Sequence, residues 1–192
     1  MDHKIIVCGG NGAGKSTLGR ALAERLGYSF LDIESYYFPH RQTAYPYDKA
    51  RTDEEAGALL LADMKALDHF VLAAVKGSYG KEVESLFTCA VLIQAPKALR
   101  LERVKQRTLD TFGKRALPGG DLYEKEKQFF DMVNQRSGQE TEQWLKLMRL
   151  PVIAVDGTRP IPFLVESVVQ QLDELDELDE PDRKGRTADP IV

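Results

Sequence analysis

Only two cysteines, three histidines and one tryptophan occur among the 192 residues. Two thiols make no disulfide framework. Cys8 and Cys89 each fall in an apolar run without metal-type spacing, so both read as buried core thiols. Long apolar runs are missing too, since the longest, Phe70 to Val75, is far short of a membrane span. The first strand pattern begins at Lys4, so no secretory signal fits there, and a cytoplasmic protein with no membrane partner is expected. A basic excess is also lacking. The net charge is −4, and residues 173–192 alone hold eight acids against three bases. The remaining body is near neutral and offers no basic face for a nucleic-acid polymer.

What is present is concentrated. Gly9, Gly10, Asn11, Gly12, Ala13, Gly14, Lys15 and Ser16 complete the phosphate-binding pattern G-x-x-x-x-G-K-[ST]. The apolar run Ile5-Ile6-Val7-Cys8 precedes it and a helical pattern from Lys15 to Leu26 follows. Glycines permit the positive-φ turns that aim successive N–H groups at phosphate oxygens, and the helix N-terminus adds its unpaired donors. In such a loop Lys15 reaches the β- and γ-phosphates, and the Ser16 hydroxyl holds Mg²⁺. ATP and Mg²⁺ are therefore the expected ligands, with Thr17 completing the binding segment.

Apolar runs alternate with helical patterns, which predicts an α/β fold with a parallel five-stranded sheet between helices. The runs are Lys4–Cys8, Tyr28–Ile33, His69–Val75, Thr88–Gln94 and Pro151–Val155. Helices are expected at Lys15–Leu26, at Asp53–Leu67, after Pro96, across Asp121–Leu150 with a break at Ser137-Gly138, and at Pro162–Leu172. One domain over residues 1–172 follows, with a lid near 108–122. Leucine then recurs every third residue from Leu172 to Leu178 among acids, a spacing that drifts around a helix. Residues 173–192 are expected to be a frayed, acidic and disordered tail.

Several nucleotide-binding classes are excluded. There is no Asn-Lys-x-Asp guanine motif, and Ser137-Gly138-Gln139 is followed by no apolar run ending in Asp-Glu. A ring-forming ATPase needs that acidic strand end as well as a helical lid domain, for which the chain is too short. Small phosphotransferases remain. Gly9 through Thr17, followed by Ala23-Glu-Arg-Leu-Gly-Tyr-Ser-Phe-Leu-Asp-Ile-Glu34, resembles the opening of the adenylate kinase-like P-loop kinases. That superfamily includes nucleoside monophosphate, shikimate, gluconate and uridine kinases. Val91 to Arg107, continuing through Phe112-Gly-Lys-Arg115, is similar to their fourth strand and arginine-bearing lid. Val152-Ile-Ala-Val-Asp-Gly-Thr158 resembles their fifth strand and adenine-side loop.

The resemblance implies a P-loop three-layer fold and phosphoryl transfer from ATP to a small molecule. Seven bases between Lys97 and Arg115 face only two acids, Glu102 and Asp110. Arg103 and Arg107 share a helix face at i, i+4, and Arg115 sits where a lid would swing it inward, so all three are candidates for the transferring phosphoryl. Asp32 and Glu34 stand at the carboxyl end of the second strand, where open α/β sheets place ligands. In extended chain, i and i+2 point the same way. The resemblance to shikimate-type kinases implies an acidic pair here, Asp32 with Glu34, that serves metal water and the acceptor hydroxyl. In uridine kinases the segment resembling Glu34-Ser-Tyr-Tyr37 begins with the acceptor-side acid. No acid follows the third strand, where Val75-Lys76-Gly77-Ser78 stands. Lys76 is there a candidate contact for an anionic substrate.

Tyr36, Tyr37, Phe38, Tyr45 and Tyr47, with Arg41 and Arg51, are candidates for the acceptor pocket. A nucleoside or nucleotide acceptor is expected, with a small hydroxy metabolite as the alternative. A nucleotide-binding regulator without turnover is a further alternative, and oligomeric state is left open.

Overall fold

The computed structural model describes residues 3–39 and 45–179. Five strands form one sheet in the order β2-β3-β1-β4-β5, and every neighbouring pair is parallel. They are β1 (Lys4–Cys8), β2 (Ser29–Asp32), β3 (Phe70–Ala73), β4 (Cys89–Gln94) and β5 (Val152–Asp156). Each lies within its apolar run except β5, which ends one residue later. The three central strands are buried on both faces, as their uninterrupted apolar composition requires.

Helices cover both faces. Leu18 and Leu22 of α1 (Lys15–Leu26) pack on one side with Leu164, Val165 and Val168 of α8 (Ile161–Asp179). Leu60 and Met64 of α3 (Asp53–Ala66) and Trp144 of α7 (Gln139–Met148) pack on the other. Two short helices, α2 (Ile33–Tyr37) and α4 (Lys81–Glu84), were not expected. The long helix α5 (Lys97–Phe112) leads into a 3-10 turn at Gly113–Ala116 and then to α6 (Tyr123–Gln135). The break between α6 and α7 falls at Ser137-Gly138, where Gly138 takes φ +81°.

The end of α8 corrects the expected boundary. The helix runs past residue 172 to Asp179 instead of fraying there. The leucine drift is nonetheless visible, because Leu172 is buried, Leu175 is half-buried against the core and Leu178 is 75 % exposed. Two leucines still on the core side carry the helix onward, and His3 Nε2 lies 3.2 Å from Asp176 Oδ1. Residues 180–192, the rest of the expected tail, lie outside the described residues.

The strand order places a switch point at β1 and β3. The chain leaves β1 for β2 on one side and returns through β3 to β4 on the other, so a crevice opens over the carboxyl ends.

Candidate active site

The loop after β1 takes the conformation its glycines allow. Gly9, Gly12 and Gly14 have φ of +143°, +79° and +103°. At Gly12 any Cβ would lie 2.2 Å from the Arg100 carbonyl oxygen, so only glycine fits. The loop is tied to the sheet through Gly9 N–H, which donates to Val75 O at 3.3 Å. Gly14 caps α1 without any side-chain acceptor, which leaves the helix's first N–H groups facing the loop.

Lys15 lies at the floor. Its Nζ donates to Gly10 O at 3.1 Å. Burial lowers its pKa to about 8, against an opposing pull from Glu34 and a further push down from Arg107. Lys15 and Ser16 open into a cleft of about 540 Å³ that also contains Asn11, Asp32 and Glu34. The phosphate loop and the second-strand acids therefore share one space.

The geometry of the acids differs from the expected extended pair. Asp32 ends β2, but Ile33 already begins α2, so Asp32 is a helix N-cap. Its Oδ1 accepts the Glu34 N–H at 3.1 Å. Capping uses one carboxylate oxygen in an Asx-type contact. Both side chains still line the cleft, now as a cap and a first-turn residue.

The three lid-side arginines diverge. Arg107 lines the cleft, and its Nη1 is 3.9 Å from Glu34 Oε1. Arg103 lies beside the loop, donating from Nη1 to Ala13 O at 3.4 Å and from Nη2 to Gly157 O at 3.0 Å. It thereby joins the phosphate loop to the turn after β5. Arg115 is held on the lid by Asp121, at 2.7 Å from Nη2 to Oδ2, and is not among the cleft-lining residues.

The acceptor segment forms an aromatic wall. Tyr37, Phe38, Tyr45 and Tyr47 line the cleft together with Tyr79 and Phe129. Tyr47 packs edge-on against Phe38 at 5.1 Å, and Tyr45 meets Phe112 of α5 at 5.5 Å. The Tyr45 hydroxyl donates to Glu126 Oε1 at 2.8 Å, while Thr108 donates to Oε2 of the same buried carboxylate at 2.9 Å. Burial and the Glu126 charge push the Tyr45 phenol pKa up, so it stays a donor. Tyr36 faces the core, with its hydroxyl on Asp63 at 2.7 Å. Arg51 donates to Tyr36 O at 2.8 Å, and Arg41 lies outside the described residues.

Lys76 lines the cleft as well. Among the other lining residues, Tyr79, Phe129, Arg136 and Glu140 were not singled out for this site by sequence reasoning. Arg136 Nη1 donates to Asn11 Oδ1 at 3.2 Å. Thr141 donates to Val75 O at 2.9 Å and so holds the first turn of α7 against the end of β3. The only signal in the sequence was the glycine break at 137–138, and a break does not say where the next helix docks.

A family described as an AAA domain matches residues 5–116, from β1 through the lid turn. The chain belongs to that family. Its fold is that of the adenylate kinase-like P-loop kinases. It is 29% identical to the uncharacterized protein YqaC of Bacillus subtilis (strain 168), over 90% of this chain and 98% of that protein. Over 53% of this chain and 60% of the relative, it is 32% identical to a shikimate kinase of Thermosynechococcus vestitus. Among solved structures, a gluconokinase from Sinorhizobium meliloti 1021 superimposes with a TM-score of 0.54 at 21% identity, covering 91% of this chain and 94% of that one. Deoxyadenosine kinase from M. mycoides with bound dATP gives a TM-score of 0.54 at 18% identity, over 88% and 99%. Apart from YqaC, these relatives and solved structures are described as small-molecule kinases. No described helix is long and apolar enough to cross a membrane.

Proposed function

We propose that the protein is a kinase that transfers the γ-phosphoryl of MgATP to a hydroxyl of a nucleoside or nucleotide, with an uncharged nucleoside fitting best. The observation that carries this is one cleft containing Lys15, Ser16, Asp32, Glu34 and an aromatic wall. A phosphoryl donor and a hydroxyl acceptor can meet there with water kept out.

The roles follow from position. The loop N–H groups and Lys15 bind the triphosphate, and Arg107 meets charge developing on the transferring group. Arg103, fixed between loop and β5 turn, supports the nucleotide site. Arg115 acts from the lid, once closure takes it off Asp121. Asp32 or Glu34 accepts the acceptor's hydroxyl proton.

The Ser16 hydroxyl and Asp32 carboxylate are hard oxygen donors in one cleft, a set that suits Mg²⁺ completed by phosphate and water. When bound, that ion neutralises phosphate charge.

Two features support an uncharged, flat acceptor. Tyrosine and phenylalanine faces stack on a nucleobase. Arg51, the described arginine of the acceptor segment, donates to the Tyr36 carbonyl, a contact that holds the segment itself rather than a phosphate. The alternative acceptor is a small hydroxy acid, which Lys76 and Arg136 would hold by its carboxylate. The partial shikimate kinase match favours that alternative. An ADP-release assay across nucleosides, nucleoside monophosphates and hydroxy acids separates them. Turnover confined to hydroxy acids would remove the nucleoside.

A further inference from the structure

Arg100 is a charged residue in an unusual place. It is 8 % exposed, and it lies on the outer side of the phosphate loop rather than in the cleft. Its hydrogen-bond acceptors are backbone carbonyls: Nε donates to Ala95 O at 3.3 Å and Nη1 to Asn11 O at 3.2 Å. Among the described residues no carboxylate pairs with it. The guanidinium also packs directly on the loop, because a Cβ at Gly10 would lie 2.4 Å from Nη1.

Two physical consequences follow. A trans peptide turns its N–H away from its own carbonyl. A donor that draws the Asn11 carbonyl outward therefore aims the Gly12 N–H to the loop's inner side. Secondly, a buried guanidinium without a carboxylate is costly, and neutral carbonyls compensate it only in part. An anion held on the inner side of the loop supplies the missing countercharge, strengthened by the low local dielectric.

We propose that Arg100 is a positioning residue for the phosphate loop, fixing the Asn11–Gly12 peptide from outside and lending its charge to the nucleotide's phosphates. The inference rests on the kinase proposal and deepens it. Arg103 acts on Ala13 O from the same helix, so α5 grips alternate peptides of the loop. Its first two turns are then part of the nucleotide site although Arg100 and Arg103 do not themselves line the cleft.

The test is calorimetric titration of wild type, Arg100→Met and Arg100→Lys with MgATP and MgADP, beside thermal melts of the unliganded proteins. Arg100→Met is expected to bind ATP about tenfold or more weakly, with a smaller loss for ADP. Its unliganded Tm should stay level or rise, since an apolar side chain of similar length relieves the buried charge. Arg100→Lys should fall between the two in ATP affinity. A plain packing strut would give the opposite pattern, a lower unliganded Tm with both nucleotide affinities unchanged, and that would overturn the inference. Should Arg100→Met fail to fold, Arg100→Lys decides: weakened ATP binding at unchanged Tm supports it, and wild-type affinity overturns it. Wild type that binds no ATP would overturn the kinase proposal and this inference together.

Discussion

Arg107 Nη1 lies 3.9 Å from Glu34 Oε1, so the lid-bearing helix and the acceptor-side acid meet across the cleft. Both side chains are partly exposed, at 51 % and 37 %. Such a pair is a weak, screened contact. A phosphoryl group arriving between lid and loop can draw Arg107 from Glu34 at little cost.

Arg107→Ala should therefore lower kcat about 10²-fold while changing the KM for ATP much less, because its contact tightens as charge develops. Initial rates against ATP concentration give both constants. A loss below about threefold would mean that Arg107 is a solvated helix residue.

Lys15 carries a pH prediction. Burial holds its pKa at about 8, well under the usual lysine value of about 10.4. Bound phosphates favour the charged form and raise that pKa again. The free protein is then half-deprotonated near pH 8, and ATP binding should take up about half a proton there. Affinity should fall as pH rises from 7 to 9. Titration in buffers of different ionisation enthalpy measures the uptake. No uptake at pH 8 would place the Lys15 pKa in the ordinary range, and Lys15→Ala, which should weaken ATP binding sharply, would show none either.

The acceptor wall should report separately from the nucleotide site. Tyr45→Phe removes the hydrogen bond to Glu126 but keeps the ring on Phe112. The expected result is a severalfold higher acceptor KM with unchanged ATP affinity, since the loss loosens the wall without touching the loop. Equal changes in both constants would mean that the contact holds the fold instead.

The parts legible in the sequence were those with a local physical signature. Strands buried on both faces read as unbroken apolar runs, and the loop from Gly9 to Ser16 declares its backbone through its glycines. The divergence of Arg103, Arg107 and Arg115 was not legible. Helical spacing gives relative direction along α5, but only the docking of α5 against the loop decides which arginine meets a carbonyl and which meets the cleft. Arg100 shows this most clearly, being one turn from Arg103 yet buried against Gly10. Asp32 and Glu34 could be assigned to the strand end, whereas the immediate start of α2 at Ile33 was hidden by the strand-favouring residues Ile33, Tyr36 and Tyr37. Arg136, at the C-cap of α6, and Glu140, in the first turn of α7, reach the site only through tertiary packing.

The central claim is that a carboxylate beside the phosphate loop orients an acceptor hydroxyl for phosphoryl transfer. The most direct measurement is acceptor-dependent ADP release by wild type, Asp32→Asn and Glu34→Gln, with ATP binding followed in parallel. Wild type should turn over with a nucleoside acceptor, one of the two variants should lose about 10²-fold or more in kcat, and both should still bind ATP. Wild-type rates in both variants, or no acceptor-dependent turnover by wild type across the whole panel, would contradict it. The second outcome would point to a nucleotide-binding regulator.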